Sequence, residues 1–170
     1  MTPELDRLLR ELEPPSAQNL GARLRFGLVC ASRVAHLLED PAVMACLKRF
    51  EALLDDEAFE TEWATLAAEA DSLANRHRGS HSLDGVGHAA VSASCACAKA
   101  IAGRSRQAAE YAAYAAVYGQ GGYGATSDPE SFAAEYEWQA AQLSALLHPH
   151  PTAQGAATSA PPKPSVGIQT

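Results

Sequence analysis

Thirty-six alanines stand against two isoleucines and seven valines in this chain of 170 residues. An extended sheet packs its faces with β-branched and aromatic side chains, and aromatics make up only 6% of the sequence. Alanine is the strongest helix former. The composition therefore predicts an all-α fold. The length suits one domain, able to bury roughly 70% of the surface its unfolded chain exposes. Hydrophobic residues reach 47%, too many for a chain disordered throughout.

Caps and apolar stripes divide residues 1–147 into a bundle of about seven helices. Thr2-Pro3 opens the first, which carries Leu5, Leu8, Leu9 and Leu12 and stops at Pro14-Pro15. Ser16 caps a second, running to about Glu39, in which Gly21 and Gly27 weaken the helix or admit a close neighbour. Asp40-Pro41 starts a third and Asp55-Asp56-Glu57 a fourth, the carboxylates suiting the positive end of the helix dipole. Asn75 to Gly87 reads as a loop. The fifth helix runs from near Ser82 to about Ala102 and is small-residue-rich on nearly all sides, as in a buried central helix. A sixth follows from Ser105 to about Tyr118, with Gly119 to Gly124 as a flexible connector. Ser127 and Glu130 form a capping box for the last helix. From His148 to Thr170 the chain holds five of its ten prolines and one charged residue, the composition of a disordered tail.

The N-terminus has no basic segment leading into an apolar run, and no stretch of about 18 apolar residues occurs, so neither a signal peptide nor a membrane span is expected. Cys30, Cys46, Cys95 and Cys97 form no C-x-x-C pair and read as reduced, mostly buried thiols of a cytoplasmic protein.

Motifs for enzymatic chemistry are missing. There is no Gly-x-Ser-x-Gly and no His-Glu-x-x-His. The glycines at 119–124 lack the Lys-Ser/Thr of a phosphate loop and follow no expected strand, so they read as an interhelical connection. Glu135 and Glu137 are two apart and point to different sides of a helix. His77, His81 and His88, with Cys95 and Cys97 downstream, are the one cluster resembling metal ligands. The competing reading is two loop histidines and a core histidine at 88. Tyr111, Tyr114 and Tyr118 share a helix face, which is either a half-buried core stripe or an interface anchor; the core stripe is the expectation. No cofactor is expected.

Charge is the most informative feature. The net charge is −7, against a nucleic-acid surface. Between Glu51 and Asn75 lie Glu51, Asp55, Asp56, Glu57, Glu60, Glu62, Glu69 and Asp71, without a single Lys or Arg. The last helix adds Asp128, Glu130, Glu135 and Glu137, also without an expected basic partner. Such a face is either simply solvated or steers a basic partner.

The run Leu24-Arg-Phe-Gly-Leu-Val-Cys-Ala-Ser-Arg-Val-Ala-His-Leu-Leu-Glu-Asp40 resembles the opening helix of a bacterial family of immunity proteins from polymorphic toxin systems. His88-Ala-Ala-Val-Ser-Ala and Glu110-Tyr-Ala-Ala-Tyr-Ala-Ala-Val-Tyr118 resemble the same family, so that the likeness covers roughly residues 20–147. It implies a small all-helical, non-enzymatic protein that binds and neutralises a cognate toxin in a 1:1 complex, and it carries over no site residues. A basic toxin would meet the acidic face, for which Asp55, Asp56, Glu57, Glu60 and Glu62 are the candidates. A helical scaffold or adaptor, self-associating through an apolar or tyrosine face, is the alternative. A metal-binding enzyme using His77, His81 and His88 is the third.

Overall fold

The computed structural model describes residues 1–12, 17–77 and 86–149, and all regular structure among them is helical. Seven α-helices follow one another: α1 (Pro3–Glu11), α2 (Ala17–Arg33), α3 (Pro41–Leu53), α4 (Phe59–Arg76), α5 (Val86–Ile101), α6 (Ser105–Thr126) and α7 (Ala133–Leu147). Short 3-10 turns at Ala35–Leu37 and Pro129–Phe132 complete the order. The expected starts at Ser16 and Ser82, and the tail beyond Pro149, lie outside the described residues.

Local capping explains most boundaries. Thr2 Oγ1 accepts from the Leu5 amide at 3.4 Å, with Pro3 in the first turn of α1. Asp40 Oδ1 accepts from the Ala42 amide at 2.8 Å at the head of α3. That cap also ends the preceding segment. Asp40 must be extended to cap, as must a residue before proline, so the second helix cannot continue to Glu39. It stops at Arg33, and after the 3-10 turn Leu38 is extended at φ −70° and ψ 123°.

α5 is the axle of the bundle. It packs against α2, α3, α4 and α6, most extensively against α6. Ala89, Ala90, Ala93, Ala96, Cys97, Ala98, Ala100 and Ile101 are all buried on it, and Ala108, Ala109, Ala112 and Ala113 face it from the α6 side of the core. Small residues let the backbones approach closely. α2 approaches closely at Gly27, where a Cβ would sit 2.9 Å from Ala100 Cα.

α5 ends in a Schellman motif. The Gly103 amide donates to the Ala100 carbonyl at 3.0 Å and the Arg104 amide to the Lys99 carbonyl at 2.9 Å, with Gly103 at φ 68°. Arg23 Nε then donates to the Gly103 carbonyl at 3.1 Å, tying α2 to this turn.

Two expectations at the end of α6 are corrected. Gly119 to Gly124 are not a loose connector throughout: the helix runs on past Gly119 and breaks at Gly122, whose φ 62° and ψ −151° are non-helical, and a second short helical piece reaches Thr126. Leu37 packs onto Gly119 there, its Cδ2 3.3 Å from the position of a Cβ, and so covers a stretch that sequence alone marks as weak. Ser127 is not a capping residue. It donates to the Tyr123 carbonyl at 3.1 Å, and Asp128 caps the 3-10 turn instead through the Glu130 amide at 3.0 Å.

α1 docks on α7 and buries Leu5, Leu8, Leu9 and Leu12. Its outer face carries the pairs Arg7–Glu4 and Arg10–Asp6, which solvent screens and which add little to stability. All four cysteines are free. Cys30, Cys46 and Cys97 are buried and Cys95 half-buried.

Candidate protein-binding surfaces

The fold neutralises part of the acidic stretch. Arg25 on α2 pairs with Asp55, Arg49 on α3 with Glu69 at 2.8 Å, and Lys99 on α5 with Asp71 at 3.1 Å. Lys99 holds the Asp71 carboxyl below its ordinary value by a hydrogen bond and by its charge. Three of the eight acids, which have no Lys or Arg among them in sequence, thus gain a basic partner from another helix. Asp55, a candidate site residue, is one of them.

Glu51, Asp56, Glu57, Glu60 and Glu62 are exposed and have no ion pair among the described residues. They surround the α3–α4 turn and the first turn of α4. Asp56 Oδ1 also accepts from the Ala58 amide at 2.8 Å, which shapes the turn and leaves α4 to begin at Phe59. Glu60 and Glu62 lie at the positive end of α4. The support beneath is firm: Trp63 stacks on Phe59 at 5.4 Å, and its indole N–H donates to the Ile101 carbonyl at the end of α5. Beside the turn is a depression of about 200 Å³. Ala52, Leu53, Ala58 and Leu66 line it, with Asp56, Glu62 and Arg49.

The histidine candidates do not converge. His77 ends α4, its Nδ1 3.2 Å from Ser94 Oγ, which itself donates to the Ala90 carbonyl at 3.0 Å. His88 is six residues before Ser94 on α5, about 9 Å of helical rise away. It is exposed, which corrects the core-histidine expectation. Its ring lies 5.2 Å from that of Tyr118 and 5.7 Å from that of Tyr123. Cys97 is buried with its thiol 3.9 Å from the Val43 carbonyl. His81 lies outside the described residues. Among the described residues, no group of three or more His, Cys, Asp or Glu is placed to hold a metal ion.

The tyrosine stripe is core at one position only. Tyr118 is 3% exposed, whereas Tyr111 and Tyr114 are each 38% exposed and Tyr123 is 69% exposed. Burial, then the neighbouring hydroxyls of Tyr123 and Tyr114, pushes the Tyr118 hydroxyl up to about 12. The stripe extends into a row of rings from three segments. Tyr118 meets Tyr114 at 5.0 Å and Tyr123 at 5.5 Å. Tyr114 stacks on Phe132 at 6.3 Å, and Phe132 on Tyr136 at 5.9 Å. Burial raises the Tyr136 hydroxyl, and the charge of Glu110 adds to the effect. Sequence spacing links only the α6 members. Nothing local announces that Phe132 and Tyr136 join them.

The expectation that the acids of the last helix lack a basic partner is corrected at Glu135. Glu135 is 7% exposed, and its Oε2 accepts from Arg33 Nε at 3.3 Å across 102 residues. The Arg33 guanidinium lies 4.5 Å over the Trp138 ring. Glu135 Oε1 has no hydrogen-bond partner and is shielded from solvent. Nearby, Arg33, His36, Leu37 and Gln120 help to line a cavity of about 220 Å³. Glu137, by contrast, is exposed, as the opposite-sides reading requires.

No helix among the described residues is long and apolar enough to cross a membrane. No family model, curated protein or solved structure matches the chain.

Proposed function

We propose that this chain is a non-enzymatic immunity protein that binds a basic bacterial toxin and blocks it by complex formation. The observation that carries the reading is the α3–α4 turn, where Asp56, Glu57, Glu60 and Glu62 stand exposed and without an ion pair among the described residues while Asp55, Glu69 and Asp71 of the same stretch are paired. A one-sign edge on a rigid support speeds encounter with a cationic partner, by roughly 10- to 1,000-fold at low salt. The likeness of residues 20–147 to the immunity family supports the same reading.

The test has two steps. An N-terminally tagged chain is recovered from its native cells and its bound proteins are identified; a stoichiometric basic protein is expected. Glu57→Lys, Glu60→Lys and Glu62→Lys together then slow association with that protein at least tenfold at low salt and flatten its salt dependence. Unchanged association kinetics in the triple variant would remove this edge as the interface.

The exposed rings of Tyr111, Tyr114 and Tyr123 favour a second reading, a helical scaffold or adaptor. Light scattering separates the two: a stable dimer without a toxin supports the scaffold, and a monomer weakens it.

A further inference from the structure

We propose that the tyrosine row on α6 and α7 is a docking site for this chain's own segment Pro161-Pro162-Lys163-Pro164. The inference is independent of the acidic turn. Trp63, beside that turn, is tied to the far end of α5 from His88, about 20 Å of helical rise away.

Three observations select the occupant. The first is chemistry. Stacked, half-exposed aromatic rings are the surface on which proline-rich segments dock, because flat proline rings fill the spaces between them at little entropic cost. Tyr114, Phe132 and Tyr136 supply the stacked rings, and Tyr111 is exposed one turn before Tyr114 on α6.

The second is charge. Glu110, Asp128 and Glu130 flank the row, are exposed, and have no ion pair among the described residues. Lys163 is the one charged side chain between His148 and Thr170, and it stands among the three prolines.

The third is size and reach. Tyr111, Tyr114 and Tyr123 together expose roughly 300 Å², taking about 200 Å² for a whole tyrosine side chain. Those three rings alone fall well short of the roughly 800 Å² per partner that a stable dimer buries, and they match the footprint of a four-residue segment. Tyr136 lies about 17 Å back along α7 from Leu147. The fourteen residues from Leu147 to Pro161 can span up to about 50 Å, so the segment reaches the row. Tethering also keeps it at an effective concentration of order millimolar, enough for a weak motif to be bound.

The experiment is NMR on the full chain with labelled tyrosines. In the triple variant Pro161→Ala, Pro162→Ala, Pro164→Ala, the ring signals of Tyr111, Tyr114 and Tyr123 shift while signals from α1 to α4 stay in place. Reciprocally, Tyr111→Ala with Tyr123→Ala, both at exposed positions, raises the fast-timescale mobility of the Lys163 amide. The signals are unchanged by dilution. Tyrosine signals that the proline variant leaves unmoved would overturn the proposal. Signals that move on dilution would overturn it too, assigning the row to a second copy.

Discussion

Replacing Gly27 with alanine places a methyl carbon 2.9 Å from Ala100 Cα, 3.1 Å from its Cβ and 3.3 Å from its carbonyl oxygen. The obstruction is largely backbone on the central helix, so no flexible side chain can swing away. α2 must then shift from α5 or the helices must distort. Overpacking of this kind costs about 1–3 kcal/mol. Removing a mid-helix glycine returns about 0.5–1 kcal/mol. The net is a loss of up to about 2.5 kcal/mol, centred on about 1 kcal/mol. Gly21, two turns earlier on the same helix, is the internal control, because nothing lies within 4 Å of its Cβ position. Gly21→Ala therefore gains about 0.5–1 kcal/mol. For a chain of this size each kcal/mol moves the melting temperature by about 2–4 °C, so the two variants move in opposite directions by amounts that are easily resolved. Urea unfolding followed by circular dichroism and by Trp63 and Trp138 fluorescence gives both values. If Gly27→Ala stabilises the chain as Gly21→Ala does, the close α2–α5 seam is not a constraint and the reasoning fails.

The Arg33–Glu135 pair predicts two variants of unequal effect. Arg33→Met strands a buried carboxylate and costs about 3 kcal/mol, whereas Glu135→Met removes the shielded oxygen as well as the charge and is near neutral or stabilising. Equal losses in denaturant unfolding would show instead that the pair itself carries the stability. A third prediction concerns alkaline pH. Burial, with the charge of Cys46 adding, raises the Cys97 thiol from 9.0 to about 12; burial and then the charge of Glu135 raise that of Cys30. Both thiols stay protonated in the folded chain after they have ionised in the unfolded one. Their contribution is therefore complete below pH 9 and is lost as pH rises towards 12. Unfolding midpoints taken across that window fall, and they fall less steeply in Cys30→Ala and Cys97→Ala; parallel slopes would refute the assignment.

Helix boundaries were legible at two of the local caps, and misassigned by one residue at Asp128. Thr2-Pro3 and Asp40-Pro41 each specify a start within three residues, and the structure uses both. The end of α6 was not legible, because its glycines have low helix propensity and Leu37, some eighty residues away, packs over Gly119. The acidic edge was half legible. Counting charges located it, but pairing is a tertiary property: Arg25 meets Asp55 over 30 residues and Arg33 meets Glu135 over 102. The aromatic row was legible only on α6, since the 3.6-residue period says nothing about rings delivered by another helix.

The docking of α1 on α7 has a consequence during synthesis. Leu5, Leu8, Leu9 and Leu12 leave the ribosome about 120 residues before α7 begins at Ala133. At 5–20 residues per second, that leaves four adjacent leucines without their partner helix for roughly 6 to 24 s. During that interval the nascent chain carries an unsatisfied apolar stripe, the kind of surface that chaperones hold and that neighbouring polysome chains can capture. Leu8→Ser, harmful to the finished bundle, would make that same stripe less adhesive.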